Sequence, residues 1–199
     1  MPWITGVDRH REAKDSKAVN ATARRTCGVL CSIQQLVGFL HSVNKCSHVE
    51  IKPYRIMLCD DDPDEALFLE TAFRGAGFQV DLEWFNRCST LLDHLPGRAE
   101  VPDLIFIDLN MPGENGLECL ARVKTIPAYK KVPVIMYTTS TLSRDIMEAF
   151  KKGASLYLPK TNSEEELIEM VRHVISMDRI HLECPKKEGF CYCPKKAKD

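Results

Sequence analysis

The sequence predicts an α/β domain built on a doubly wound, five-stranded parallel sheet, and three observations carry that prediction. Short apolar runs alternate with longer segments of helical period, five times between residues 53 and 178. The runs RIMLC at 55–59 and LIFI at 104–107 are apolar almost throughout, as strands buried on both faces are. Connections of this length force right-handed crossovers and place any ligand site at the carboxyl ends of the strands.

Taken in order, residues 55–59 form the first strand. Residues 63–75 follow as a helix, with Ala66, Leu67, Leu69 and Phe73 on one period and Pro63 where a first-turn proline is tolerated. Residues 78–85 alternate as a second strand, and residues 89–95 make a short helix stopped by Pro96-Gly97. The third strand, 104–107, is the most apolar and so the most central. A helix over 116–124, a fourth strand over 134–137 and a helix over 143–152 ended by Gly153 come next. The fifth strand is 156–158. The last helix opens at Ser163 with a capping box closed by Glu166 and runs to about Met177.

Composition sets bounds on function. The chain is 44% hydrophobic and 28% charged, which suits a folded domain. It holds no run of 18 apolar residues, and its start does not read as a secretory leader, so the expected location is the cytoplasm, with no membrane contact. The nine cysteines are expected as thiols there, and Cys59, Cys88 and Cys119 in or near apolar runs read as small hydrophobes. Residues 1–52 are expected as an N-terminal extension and residues 179–199 as a basic Cys/Lys tail around the domain at 53–178. Within the extension, residues 26–44 carry an apolar stripe that fits a helix, docked or pairing in a homodimer; the polar first 22 residues carry no pattern and favour an irregular segment. Cys27, Cys31, Cys46 and His48 fit no usual zinc spacing, and the repeated Cys-Pro-Lys-Lys at 184 and 193 reads as solvated lysines.

The chemistry gathers just after the strands. Asp60, Asp61 and Asp62 follow the first, Asp108 the third, Thr138, Thr139 and Ser140 the fourth, and Lys160 the fifth. Acids are favoured at helix starts, and Asp62 before Pro63 fits that role, yet three acids ending a buried strand exceed capping needs. Carboxylates brought together repel unless a cation lies between them, and hard oxygen ligands suit Mg2+. An acidic metal pocket with a lysine and a hydroxyl has the parts that phosphoryl transfer to an aspartate needs.

The stretches IMLCDDDPDE, PDLIFIDLNMPGENGLE, VPVIMYTTS and GASLYLPK resemble, in order and spacing, the strand-end motifs of response regulator receiver domains of two-component signalling, the stand-alone type above all. The resemblance covers about residues 53–177. It implies a flavodoxin-like (βα)5 fold with strand order 2-1-3-4-5. Residue by residue, it implies that Asp108 is the phosphoacceptor, that Asp60, Asp61, Asp108 and the backbone carbonyl of Asn110 hold Mg2+, and that Thr138 and Lys160 contact the phosphoryl group. Tyr157 matches the aromatic switch residue, although an aromatic in a strand is more often plain packing. One departure stands out: the family places proline after the lysine, in a cis bond, whereas here Thr161 follows Lys160.

The expected function is that of a single-domain response regulator. It would take its phosphoryl group from a sensor histidine kinase or a histidine phosphotransfer protein and switch contacts with a downstream protein. It would bind no nucleic acid by itself, and it is expected to be no enzyme beyond assisting its own phosphorylation and dephosphorylation. The alternative is a pseudo-receiver scaffold that never takes phosphate, resting on Thr161. An aspartyl phosphatase would want a second aspartate two residues after Asp108, where Asn110 stands.

Overall fold

A computed structural model of the chain describes residues 52–192; the expectations for the N-terminal extension through residue 51, including the helix at 26–44, and for residues 193–199 fall outside them. The described residues form β1 (Tyr54–Cys59), α1 (Pro63–Gly75), β2 (Val80–Phe85), α2 (Cys88–His94), β3 (Leu104–Ile107) and a two-residue pair, β4 (Asn110–Met111) and β5 (Glu114–Asn115). After these come α3 (Gly116–Thr125), a 3-10 turn (Pro127–Tyr129), β6 (Val134–Thr138), α4 (Ser143–Lys151), β7 (Leu156–Pro159), α5 (Glu164–Ser176) and α6 (Arg179–Glu183).

Five strands pair in parallel in the order β2-β1-β3-β6-β7, which is the expected 2-1-3-4-5 counted among the strands of that sheet. The period-two geometry of each strand divides its side chains between two cores. Ile56, Leu58, Phe106, Ile135 and Tyr137 face α1, α5 and α6, where Phe106 stands edge-on to both Phe73 and Tyr137 at 6.3 Å. Met57, Cys59, Ile107, Met136 and Tyr157 face α2, α3 and α4. Both faces of the sheet are therefore covered, which explains why the central strands read as unbroken apolar runs.

Local chemistry sets the element ends. Asp62 caps α1 by accepting from the Asp64 N–H at 2.9 Å, with Pro63 in the first turn. The second strand begins at Val80 rather than at Phe78, because Gly77 turns the chain at φ 92° and the Phe78 N–H returns to the Phe73 carbonyl at 2.9 Å to close α1. At α5, Ser163 Oγ accepts from the Glu166 N–H at 3.3 Å, but the reciprocal half of the expected capping box is absent. Thr161 takes that place: its hydroxyl accepts from the Ser163 N–H at 3.1 Å and donates to the Glu166 carboxylate at 2.6 Å.

The segment after α5, which composition alone assigned to a solvated basic tail, is folded onto the domain through residue 192. Leu182 of α6 is buried in one core, and Phe190 is buried in the other against Phe150 and Tyr157, with ring centroids 5.1 and 6.4 Å away. Cys191 forms a parallel bridge with Tyr157 on the outer edge of β7. A lysine-rich composition cannot reveal one aromatic anchor. Among the described residues no helix is long and apolar enough to cross a membrane.

Candidate functional site

The sheet order puts the ends of β1 and β3 side by side at the point where the winding reverses, and the Asp108 N–H donates to the Cys59 carbonyl at 2.9 Å. Asp60 and Asp108 therefore emerge next to one another, fully buried and 5% exposed, with Asp61 exposed at the rim. One carboxylate oxygen from each of Asp60, Asp61 and Asp108 lies within 4.8 Å of the others.

Asp60 is held from several sides. Its Oδ1 accepts from the Asp62 N–H at 3.0 Å, its Oδ2 pairs with Lys160 Nζ at 2.7 Å, and its carbonyl accepts from the Trp84 indole N–H at 2.9 Å. Burial pushes the Asp60 carboxyl up to about 6, against the opposing pull of Lys160 and the Asp62 N–H. Burial by itself would pull the Lys160 ammonium down, but its hydrogen bond to Asp60 and the charges of Asp108 and Glu65 leave it raised. Lys160 also lies 3.4 Å from Glu65 and 5.6 Å from the centre of the Tyr137 ring. Thr161 in place of proline thus does not draw the lysine away: Lys160 keeps its reach to Asp60, and its N–H donates to the Thr138 carbonyl at 2.9 Å.

Asp108 is only half satisfied. Its Oδ2 accepts from the Asn110 N–H at 3.3 Å, while its Oδ1 is buried with no hydrogen-bond partner. An unpaired buried carboxylate oxygen costs stability unless water, an ion or a ligand meets it. Three carboxylates converging on one point, one with an orphaned oxygen, fit a hard divalent cation. Asn110 stands in β4, whose pairing with β5 through the Gly113 turn, at φ 74°, was not foreseen. Gly116 is required: a Cβ there would strike the Asp108 carbonyl and the Leu109 Cα, both backbone.

Thr138 is buried at the end of β6, and its Oγ1 accepts from the Ser140 N–H at 3.3 Å. The Tyr157 hydroxyl donates to the Ser140 carbonyl at 2.9 Å, so the Thr138 loop and the tyrosine are joined by one residue. Ser140 Oγ in turn donates to Asp145 at 2.7 Å. The fold brings Asp60, Asp61, Asp108 and Lys160 together, and sets Thr138 one hydrogen bond from the lysine main chain. Sequence reasoning missed Glu65, which reads as an ordinary first-turn acid of α1, and Trp84, whose role depends on the carbonyl it meets across β1 and β2.

A family model described as the response regulator receiver domain matches residues 56–172. The chain belongs to this family. Receiver domains are signalling domains that accept phosphoryl groups from histidine kinases. The chain is 30% identical over 126 residues to the probable methanogenesis regulatory protein FilR2 of Methanothrix harundinacea, covering 61% of this chain and 81% of that protein. It is 34% identical over 118 residues to the DNA-binding response regulator MtrA of Mycolicibacterium smegmatis, covering 59% of this chain and 49% of MtrA. The receiver match thus spans about half the length of MtrA. The Mn(2+)-bound form of response regulator Rcp1 shares the fold, with a TM-score of 0.55 at 25% identity, over 63% of this chain and 94% of that one.

Proposed function

We propose that this receiver domain is an active phosphoacceptor, and that Asp108 takes the phosphoryl group from a histidine kinase or a histidine phosphotransfer protein. The observation that carries the reading is the buried, unpartnered Oδ1 of Asp108 beside Asp60 and Lys160. In the transfer, a carboxylate oxygen of Asp108 bonds to phosphorus while the phosphorus–nitrogen bond of the donor breaks, leaving an acyl phosphate. Asp60, Asp61, Asp108 and the Asn110 carbonyl would hold Mg2+, which when bound supplies positive charge to the phosphoryl oxygens. Bound manganese in the related Rcp1 structure supports a divalent ion here.

Lys160 neutralises a second phosphoryl oxygen, for which it must divide its ammonium between Asp60 and the incoming group. Thr138 donates its hydroxyl to a third by turning from the Ser140 N–H. Tyr157, tied to Ser140, couples that movement to the outer face of β7. The readout is a change in protein contacts by a cytoplasmic, single-domain regulator of residues 53–178. Thr161, on which the scaffold alternative rested, leaves the lysine in reach of Asp60. Incubation with acetyl phosphate and Mg2+ followed by intact mass measurement tests the reading: a gain of about 80 Da that is lost in Asp108→Ala supports it, and an unchanged mass at saturating phosphodonor refutes it.

A further inference from the structure

Below the acidic pocket, on the α2–α3 side of the sheet, four sulfur atoms meet. Cys59 ends β1, Cys88 opens α2 and Cys119 lies in the first turns of α3, and their Sγ atoms all fall within 4.8 Å of one another. Met111 of β4 adds a thioether, its Sδ 3.8 Å from Cys59 Sγ. The exposures are 0, 6, 1 and 6% for Cys59, Cys88, Cys119 and Met111, so the cluster is dry apart from a rim at Cys88 and Met111.

A single buried cysteine is accounted for as a small hydrophobe. Three from three separate elements converge on one point in a core otherwise built of carbon, and a thioether touches one of them. Thiolate ligands about 2.3 Å from a tetrahedral ion stand about 3.8 Å apart, so the sulfurs need close by no more than about 1 Å. We propose that Cys59, Cys88 and Cys119, with Met111 as fourth donor, form a binding site for a soft closed-shell cation, Cu(I) in preference to Zn(II).

The chemistry favours Cu(I). Thiolate and thioether together suit Cu(I), whereas zinc sites use cysteine, histidine or carboxylate and not methionine. Each cysteine that ligates gives up its thiol proton to solvent; no electron is transferred. The site does not compete with the carboxylates above it, since hard oxygen and soft sulfur donors select different ions. Entry runs past Cys88, where the Glu114 carboxylate accepts the Cys88 and Ser89 N–H groups at 2.6 and 3.3 Å and holds the β4–β5 turn over the cluster.

The test uses the full chain with Cys27, Cys31, Cys46, Cys184, Cys191 and Cys193 replaced by serine, titrated without oxygen with Cu(I) held by bicinchoninate. The site predicts transfer of one Cu(I) per chain with a thiolate-to-metal absorption band. It also predicts an affinity at least about tenfold lower in Cys88→Ala and in Met111→Leu, each checked as folded by circular dichroism. Failure to draw Cu(I) from bicinchoninate, equal uptake by Cys88→Ala and Cys119→Ala, or displacement of Cu(I) by equimolar Zn(II) each overturns it. None of these readouts depends on phosphorylation, so the site stands or falls separately from the role of Asp108.

Discussion

The main chain of Tyr157 is bracketed by the segment that follows α6: its N–H donates to the Phe190 carbonyl at 2.9 Å and its carbonyl accepts from the Tyr192 N–H at 2.9 Å. The aromatic proposed to sense Thr138 is thus stapled on its open edge by residues beyond the family match, which ends at residue 172. Phe190 anchors this strap at 3% exposure. Phe190→Ala is expected to cost about 3–5 kcal/mol in denaturant unfolding and to speed hydrogen exchange at the Tyr157 amide. A loss below about 1 kcal/mol with exchange unchanged would show that the strap does not hold.

Asp60 is expected to contribute a pH-dependent step to the stability of the metal-free protein. Its folded value, about 6, lies above its ordinary 3.8, so the folded state binds the proton more tightly than the unfolded state does. The stability this contributes is full below about 3.8 and is lost as pH rises through about 6, leaving a penalty of about 3 kcal/mol at neutral pH. Without divalent ion at pH 7, Asp60→Asn should therefore be more stable than the parent by about 1–3 kcal/mol, the lower figure allowing for the ion pair taken from Lys160. The gap should close between pH 6 and 4. Thermal melts across that range, compared for parent and variant, check both the sign and the window.

Divalent ion binding should weaken as pH falls below about 6, because a proton and a cation compete for the same Asp60 carboxylate. Trp84 reports the event, since its indole N–H donates to the Asp60 carbonyl at 2.9 Å. In a Trp3→Phe background, Mn2+ should quench Trp84 fluorescence with an apparent affinity falling about tenfold per pH unit well below 6. An affinity flat from pH 7 to 5 would mean that Asp60 is not a ligand.

Gly116 is a helix residue at which alanine should be harmful. Intrinsic propensity favours alanine by about 1 kcal/mol, yet the added Cβ meets the Asp108 carbonyl and Leu109 Cα, neither of which can swing aside. Gly116→Ala is expected to lose at least about 2 kcal/mol and to slow labelling by acetyl phosphate, as urea titration and intact mass would show.

The sheet and the strand-end residues were legible because each rests on a local pattern: an apolar run, then an acid, a hydroxyl or a lysine. Pro63, Gly153 and Ser163 marked helix ends for equally local reasons. Features that depend on a distant partner were not legible. The β4–β5 pair is too short to alternate, Glu65 is one of two acids in the first turn of α1, and Phe190 stands in a short stretch between two Cys-Pro-Lys-Lys repeats with no periodicity to mark it as buried. Cys59, Cys88 and Cys119 each read correctly as buried; their convergence depends on three elements meeting beneath one strand end. The Thr161 hydroxyl takes the Ser163 N–H and the Glu166 carboxylate that were expected to meet each other, while the Glu166 N–H still reaches Ser163.

The most direct check on the central claim is to phosphorylate the protein, reduce the acyl phosphate with borohydride and locate the modified residue by peptide sequencing. Homoserine at position 108, and none in protein treated without phosphodonor, is the predicted result. Homoserine at position 60 or 61 instead, or unmodified aspartate at 108 in protein that carries phosphate, would contradict it.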